Sequence, residues 1–229
     1  MDDNLKLKVE MLVETFGTLK KQYRRSAGDL SLRFAALVYT ISSKEFHKDE
    51  FDSLVKHIKK NSKWFSHHRG HQMYTTAALL ITKFDDTQKA FADLLECEEK
   101  MKSVGFKRNP YLSIASYSLM LTSEQGEVDE RIHRAMELYK EMKKKHFWLT
   151  GSDDYPIAVL LSESEEKNDT LIKRIEDNYD ILHKEGFARS NGLQFLSHLL
   201  TFVPGTSHVK AQQTRDIYNR LKQERLHVS

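Results

Sequence analysis

Residues 128–145 read VDERIHRAMELYKEMKKK, and this stretch decides the fold. Ile132, Ala135, Met136, Tyr139 and Met142 recur at helical spacing on one face. The opposite face is charged, so the helix is expected to lie outside with one side on a core. The same design recurs along the chain. The aromatic residue after each long charged helix falls at Phe65, Phe106, Phe147 and Phe187, with Leu226 completing the series, at spacings of 41, 41, 40 and 39 residues. A small residue stands 29 positions before each mark: Ala36, Ala77, Ser118, Ala158 and Ser197. Each lies in a short apolar stretch, such as FAALVYTI, TAALLIT or PIAVLLS. Met101, Met142, Leu182 and Leu221 stand 5 positions before the last four marks, and Phe91, Ile132, Ile172 and Ala211 stand 15 before them. The first unit departs, with Lys60 and Glu50 in those places.

A period of this length in an all-helical pattern predicts one helical hairpin per repeat. The short member is apolar nearly all round, the mark of a helix buried between neighbours, and its small residue lets another backbone come close. The N-terminal helix repeats the stripe of the long member, with Val9, Leu12, Val13, Phe16 and Leu19 one period before Phe65. The expected fold is all-α: an elongated α-solenoid of about five hairpins behind a lone helix. It forms a single repeat domain over 1–229, with the lone helix at 1–27 and repeats at approximately 28–69, 70–109, 110–151, 152–190 and 191–229. Punctuation agrees. Asn109-Pro110 and Asp154-Tyr155-Pro156 place a cap and then proline within a first helical turn. Gly105 and Gly186 follow long helices where a left-handed residue is expected, and the marked Phe after each should pack back on the last turn. No alternating run suggests a strand.

Composition narrows the classes further. Of 229 residues, 36 are Lys or Arg and 33 Asp or Glu, a net charge of +3 that requires neither nucleic acid nor an anionic membrane as partner. The N-terminus opens with acids and no apolar run follows, so no signal peptide is expected, and no 18-residue apolar stretch predicts a membrane span. The single Cys97 sits among carboxylates, fitting a small helix residue in a reducing cytoplasm. Acids gather where the long helices begin (Asp49, Glu50, Asp129, Asp169) and bases where they end (Lys59, Lys60, Lys143 to Lys145, Lys184). Helix dipoles account for that sorting without a ligand. An anion-attracting edge for polyanions is the weaker alternative.

Three groups of residues are candidates for a site. In the loop FWLTGSDDYP, Asp153 and Asp154 form an acidic pair that stacked repeats would bring near Arg108, Arg189 and Trp148. Paired carboxylates can bind a hard cation or act as acid and base, although one of the two occupies the cap position before Pro156. In WFSHHRGHQMY, His67, His68 and His71 offer imidazoles to a transition metal, without the fourth ligand or HExxH context of known zinc sites. Tyr39, Thr75, Ser116, Tyr117 and His198 interrupt the apolar short helices, either as inner-surface contacts or as hydrogen-bonded interior groups. No residue is nominated as catalytic: GxSxG, SxxK, GxxxxGK[ST] and GxGxxG are absent, and no cofactor is implied.

The segments LSLRFAALVYTISSKEF (30–46), HRGHQMYTTAALLI (68–81) and LTGSDDYPIAVLLS (149–162) resemble a bacterial domain-of-unknown-function family, DUF4003. The resemblance covers nearly the whole chain. It implies a cytosolic protein of Bacillus-type bacteria and brings no activity, substrate or catalytic residue. Similarity to tetratricopeptide repeats is looser, since the period is near 40 residues and the usual Trp-Leu-Gly-Tyr pattern is missing.

The expected function is therefore a non-enzymatic module that binds a protein or peptide, ahead of a metal-dependent enzyme or metal-binding protein and of a nucleic-acid binder. The last repeat ends three residues after Leu226 with no polar capping helix, so its terminal face is expected to meet a second copy or further chain.

Overall fold

The computed structural model describes residues 3–64, 66–124 and 126–224, so the marks Phe65 and Leu226 lie outside the described residues. Among the described residues there are helices and no strand. In chain order they are α1 (Asp3–Tyr23), α2 (Asp29–Ile41), α3 (Lys48–Asn61), α4 (Gln72–Lys83), α5 (Thr87–Val104) and α6 (Pro110–Thr122). Then follow α7 (Val128–Lys145), α8 (Tyr155–Leu161), α9 (Asn168–Lys184), α10 (Asn191–Leu199) and α11 (Ser207–Gln223). The odd-numbered helices from α3 onward begin 39 to 41 residues apart. None of the helices is long and apolar enough to cross a membrane.

Local chemistry sets the ends. Asn109 Oδ1 accepts the N–H groups of Tyr111 and Leu112 at 2.8 and 3.1 Å, and Pro110 fills the first position of α6, where no donor is needed. Gly105 and Gly186 adopt φ of +119° and +91°, turning the chain so that the N–H of Phe106 returns to the Met101 carbonyl and that of Phe187 to Leu182. Phe106 is thereby buried, at 3% exposure. Phe147 follows His146 with no such glycine, and it remains 60% exposed.

The chain divides into two compact units, Met1–Glu96 and Cys97–Ser229, with the division falling inside α5. In the first unit α2 packs on α1 and α4, and α3 packs on α4. Ala36 and Ala77 are fully buried where these helices meet. Phe51 is the hub of an aromatic cluster, with the rings of Tyr23, Tyr39, Phe46 and Tyr74 centred 5.4 to 6.4 Å away. Tyr23 donates its hydroxyl to Asp52 at 2.6 Å, and Tyr74 donates to Ser26 at 2.7 Å. The stripe expected on α1 is corrected: Thr15, Leu19 and Tyr23 are buried, whereas Val9 and Val13 are exposed. With α2 as its neighbour, α1 is covered only along its C-terminal half.

In the second unit α8 packs on α6 and α7, and α9 packs on α7, α10 and α11. The repeated apolar positions are inside: Met101, Ile132, Met142, Ile172, Leu182 and Ala211 are all buried. One charged residue joins them. Arg131 stands four positions before Ala135 and eleven before Met142, at the edge of the apolar face of α7, and it is buried, spanning the ends of two short helices. Its guanidinium donates to the Thr122 carbonyl and to Ser123 Oγ at the end of α6, and to the Val159 carbonyl and Ser162 Oγ of α8. Arg134 likewise donates to the carbonyls of Ser164 and Glu166 and to Asn168 Oδ1, and Lys210 donates to the Leu200 carbonyl. Carbonyls at or just beyond the ends of short helices are thus met by cations from long helices.

Candidate functional site

The loop from α7 to α8 turns polar side chains inward. Thr150 is buried; its hydroxyl donates to the Met142 carbonyl at 3.3 Å and accepts from Gln194 Nε2 at 2.8 Å. Gly151 opens a 3-10 turn, Ser152–Asp154, whose last carboxylate folds back to accept the Gly151 N–H at 3.0 Å. Asp154 does occupy the cap position of α8, but it accepts no N–H from that helix. The carboxylate is 5% exposed as a residue, and its other oxygen faces α10.

On α10 and the turn after it, Gln194, Ser197, His198 and Thr201 follow i, i+3, i+4, i+7 and are all buried, a polar stripe pointing inward. Ser197 donates to the Gln194 carbonyl and Thr201 to the Ser197 carbonyl, while Asn178 Nδ2 of α9 donates to the Ser197 carbonyl at 3.2 Å. His198, at 1% exposure, sets its Nδ1 3.7 Å from Asp154 Oδ1, too far for a hydrogen bond. Among the described residues His198 Nδ1, Asn178 Oδ1 and Gln194 Oε1 have no hydrogen-bond partner.

Burial pushes the Asp154 carboxyl up to about 6, against the bond from Gly151 and with the charge of Asp153 adding to it. Burial brings His198 down to about 4, and His146 acts in the same direction. Both shifts favour the uncharged forms, as a site withdrawn from water demands. His146 Nε2 itself lies 3.0 Å from Glu176 Oε1, with its ring 4.5 Å from that of Tyr179. The arrangement is an interior polar layer tying the α7–α8 loop to α9 and α10, and neither Asp154 nor His198 presents a reactive atom to solvent.

The structure therefore joins Asp154 with His198, two residues that spacing had put in different groups. Asp153, Arg108, Arg189 and Trp148 are exposed, and among the described residues no hydrogen bond or ion pair links them to one another. Tyr39 is fully buried with its hydroxyl unpartnered among the described residues, and burial raises its pKa. Thr75 is half-buried. Ser116 is buried and donates to Met101 Sδ at 3.2 Å, and burial pushes Tyr117 up to about 12. His67 and His68 lie in a short 3-10 turn with ring centroids 4.3 Å apart. That turn ends at an extended Gly70, so no helix runs on to His71. The His71 ring rests on Gly28, with Nδ1 2.9 Å from where a Cβ would stand.

Sequence reasoning missed an apolar surface. On α2, Leu30, Phe34, Leu37 and Ile41 are exposed, the first at 82% and the last at 65%. They follow i, i+4, i+7, i+11, a single helical face. Tyr111, Ile114 and Leu121 do the same on α6, and Phe195 and Leu199 on α10. The signal lay in helices apolar on every side, which reads as burial when one face is in fact turned to solvent.

Comparison with known proteins places the chain. Residues 15–229 match a family described as "Protein of unknown function (DUF4003)". The chain is similar to the "Uncharacterized protein YeaA" of Bacillus subtilis (strain 168), 26% identical over 196 residues that cover 84% of this chain and 59% of that protein. It thus spans about three-fifths of that relative's length. No solved structure matches it. With the match running from Thr15 to the last residue, the chain belongs to the DUF4003 family.

Proposed function

We propose that this chain is a cytoplasmic helical-repeat module that binds a protein partner through the exposed apolar faces of its short helices. The observation that carries this is the α2 stripe of Leu30, Phe34, Leu37 and Ile41. Single exposed apolar residues are ordinary, but four in line along about 16 Å of helix match the span of a three-turn partner helix. An amphipathic helix laid against such a face uses the same i, i+3/i+4, i+7 spacing. The charges favour a polyanion less, because the basic residues cluster in last helical turns, where dipoles stabilise them. The buried polar layer around Asp154 and His198 serves as scaffold in this reading.

The test pairs Phe34→Glu with Leu37→Glu in one protein and sets it beside Lys56→Glu on α3. The natural chain and the Lys56 variant should recover the same stoichiometric protein from the host, and the α2 variant should lose it at unchanged helicity. Recovery by all three, or by none, overturns the proposal.

The solenoid belongs to the same proposal: five hairpins behind a lone helix, each packing on the next. The even spacing of the long helices and the packing of α2 on α4 and of α6 on α8 support it. Small-angle scattering should then give a radius of gyration clearly above about 17 Å, the size of a compact globule of this length. A value at or below that size would refute the extended arrangement.

A further inference from the structure

Between the end of α9, α10 and α11 lies a pocket of about 380 Å³, walled by Phe187, Leu193, Leu196, Tyr218 and Leu221. That volume is in the range of small-molecule sites, and so is the mix of apolar wall with few polar groups. One charged residue lines it, Arg215. Its guanidinium carbon lies 5.1 Å from the Phe187 ring centroid and 5.4 Å from that of Tyr218, with the two rings edge to face. Gly186 makes room for it: Arg215 Nη2 is 2.6 Å from where a Cβ of residue 186 would stand.

The other arginines of this unit that sit against the fold use their donors on the protein. Arg131 and Arg134 close helix ends, and Arg174 meets Glu166 at 2.7 Å. Among the described residues Arg215 has ring contacts and neither a hydrogen bond nor an acidic partner. A guanidinium carries five N–H donors, and contact with two rings occupies none of them. The pocket also reaches Gly192 in the first turn of α10, where the helix dipole adds to the positive potential.

We propose that this pocket binds a small molecule in which a carboxylate is joined to an apolar body. Arg215 takes the carboxylate, whose two oxygens match the planar donor pair of a guanidinium. Leu196, Tyr218 and Leu221 enclose the apolar part. A phosphate monoester fits less well, since a second cation is missing from the lining. This goes beyond partner docking on α2 and does not depend on it.

The probe is 4-phenylbutyrate, followed by amide shifts of the full chain, with 4-phenylbutanol as its uncharged counterpart. Shifts should be confined to the segments 186–196 and 214–221. The alcohol should bind at least about tenfold more weakly, and Arg215→Gln should lose a similar factor for the acid alone. Leu196→Trp, which fills the pocket and keeps the cation, should abolish binding of both compounds. If Arg215→Gln does not fold, the acid–alcohol comparison and the Trp variant still decide. Equal binding of acid and alcohol, undiminished binding by either folded variant, or no shift at millimolar acid overturns the proposal.

Discussion

Replacing Arg131 by methionine is expected to destabilise the protein by about 3 kcal/mol, seen as a lower urea midpoint at an unchanged slope. Methionine fills a similar space, so the effect isolates the guanidinium. Removing it strands the half-buried Thr122 carbonyl and Ser123 hydroxyl at the end of α6 and takes one of three donors from the Val159 carbonyl of α8, which keeps the N–H and hydroxyl of Ser162. Each buried polar group deprived of a partner costs roughly 1–3 kcal/mol. Part of this is offset, because burial already holds the Arg131 pKa down and the substitution relieves that penalty. Arg134, half-buried and nearer water, should lose less on the same substitution, on the order of 1 kcal/mol. Equal and negligible losses at both sites would show that water closes these helix ends as well as arginine does.

The second large effect concerns pH. Asp154 ionises near 3.8 when unfolded and near 6 when folded, so between those values the native chain holds more protons and stability falls as pH rises. His198 is the reverse: 6.5 unfolded and about 4 folded, so the unfolded chain holds more protons and stability rises with pH across that window. Between about 4 and 6 the two slopes oppose and nearly cancel, since folding moves a proton from imidazole to carboxyl without taking one up. Asp154→Asn should leave the His198 slope uncovered, with stability growing by on the order of 3 kcal/mol from pH 4 to 6.5. His198→Asn should leave the opposite slope, a loss of similar size from pH 3.8 to 6. His146, Glu176 and Asp153 also face this region and are present in all three proteins, so the slopes that differ between them are those of the replaced group and its coupling to these neighbours. Parallel stability curves for the natural chain and both variants would sink this account.

The helices were legible because the period repeats. Ala36, Ala77, Ala158 and Ser197, chosen only by counting back from aromatic marks, are all fully buried. Ser118, chosen the same way, is half-exposed, and the buried small residues of α6 are Ser113, Ala115 and Ser116 instead. Counting cannot see such a rotation. Nor could it pair Asp154 with His198, because the 43 residues of intervening chain carry no local trace of a contact made by packing. Arg131 was hidden differently: an arginine among acids on an amphipathic helix looks like solvated charge, and only the carbonyls of other helices give it a place inside. On α2 the pattern was saturated, since a helix apolar on all sides carries no mark of which side meets water.

The seven residues of α8 are fewer than a helix needs to persist in water by itself. Its C-terminal groups are held by Arg131, and the turn beyond it by Arg134, both residues of α7. The information for this helix is therefore written partly in another stretch of the chain. Copying residues 155–161 into a foreign protein would carry the letters across and leave the helix behind.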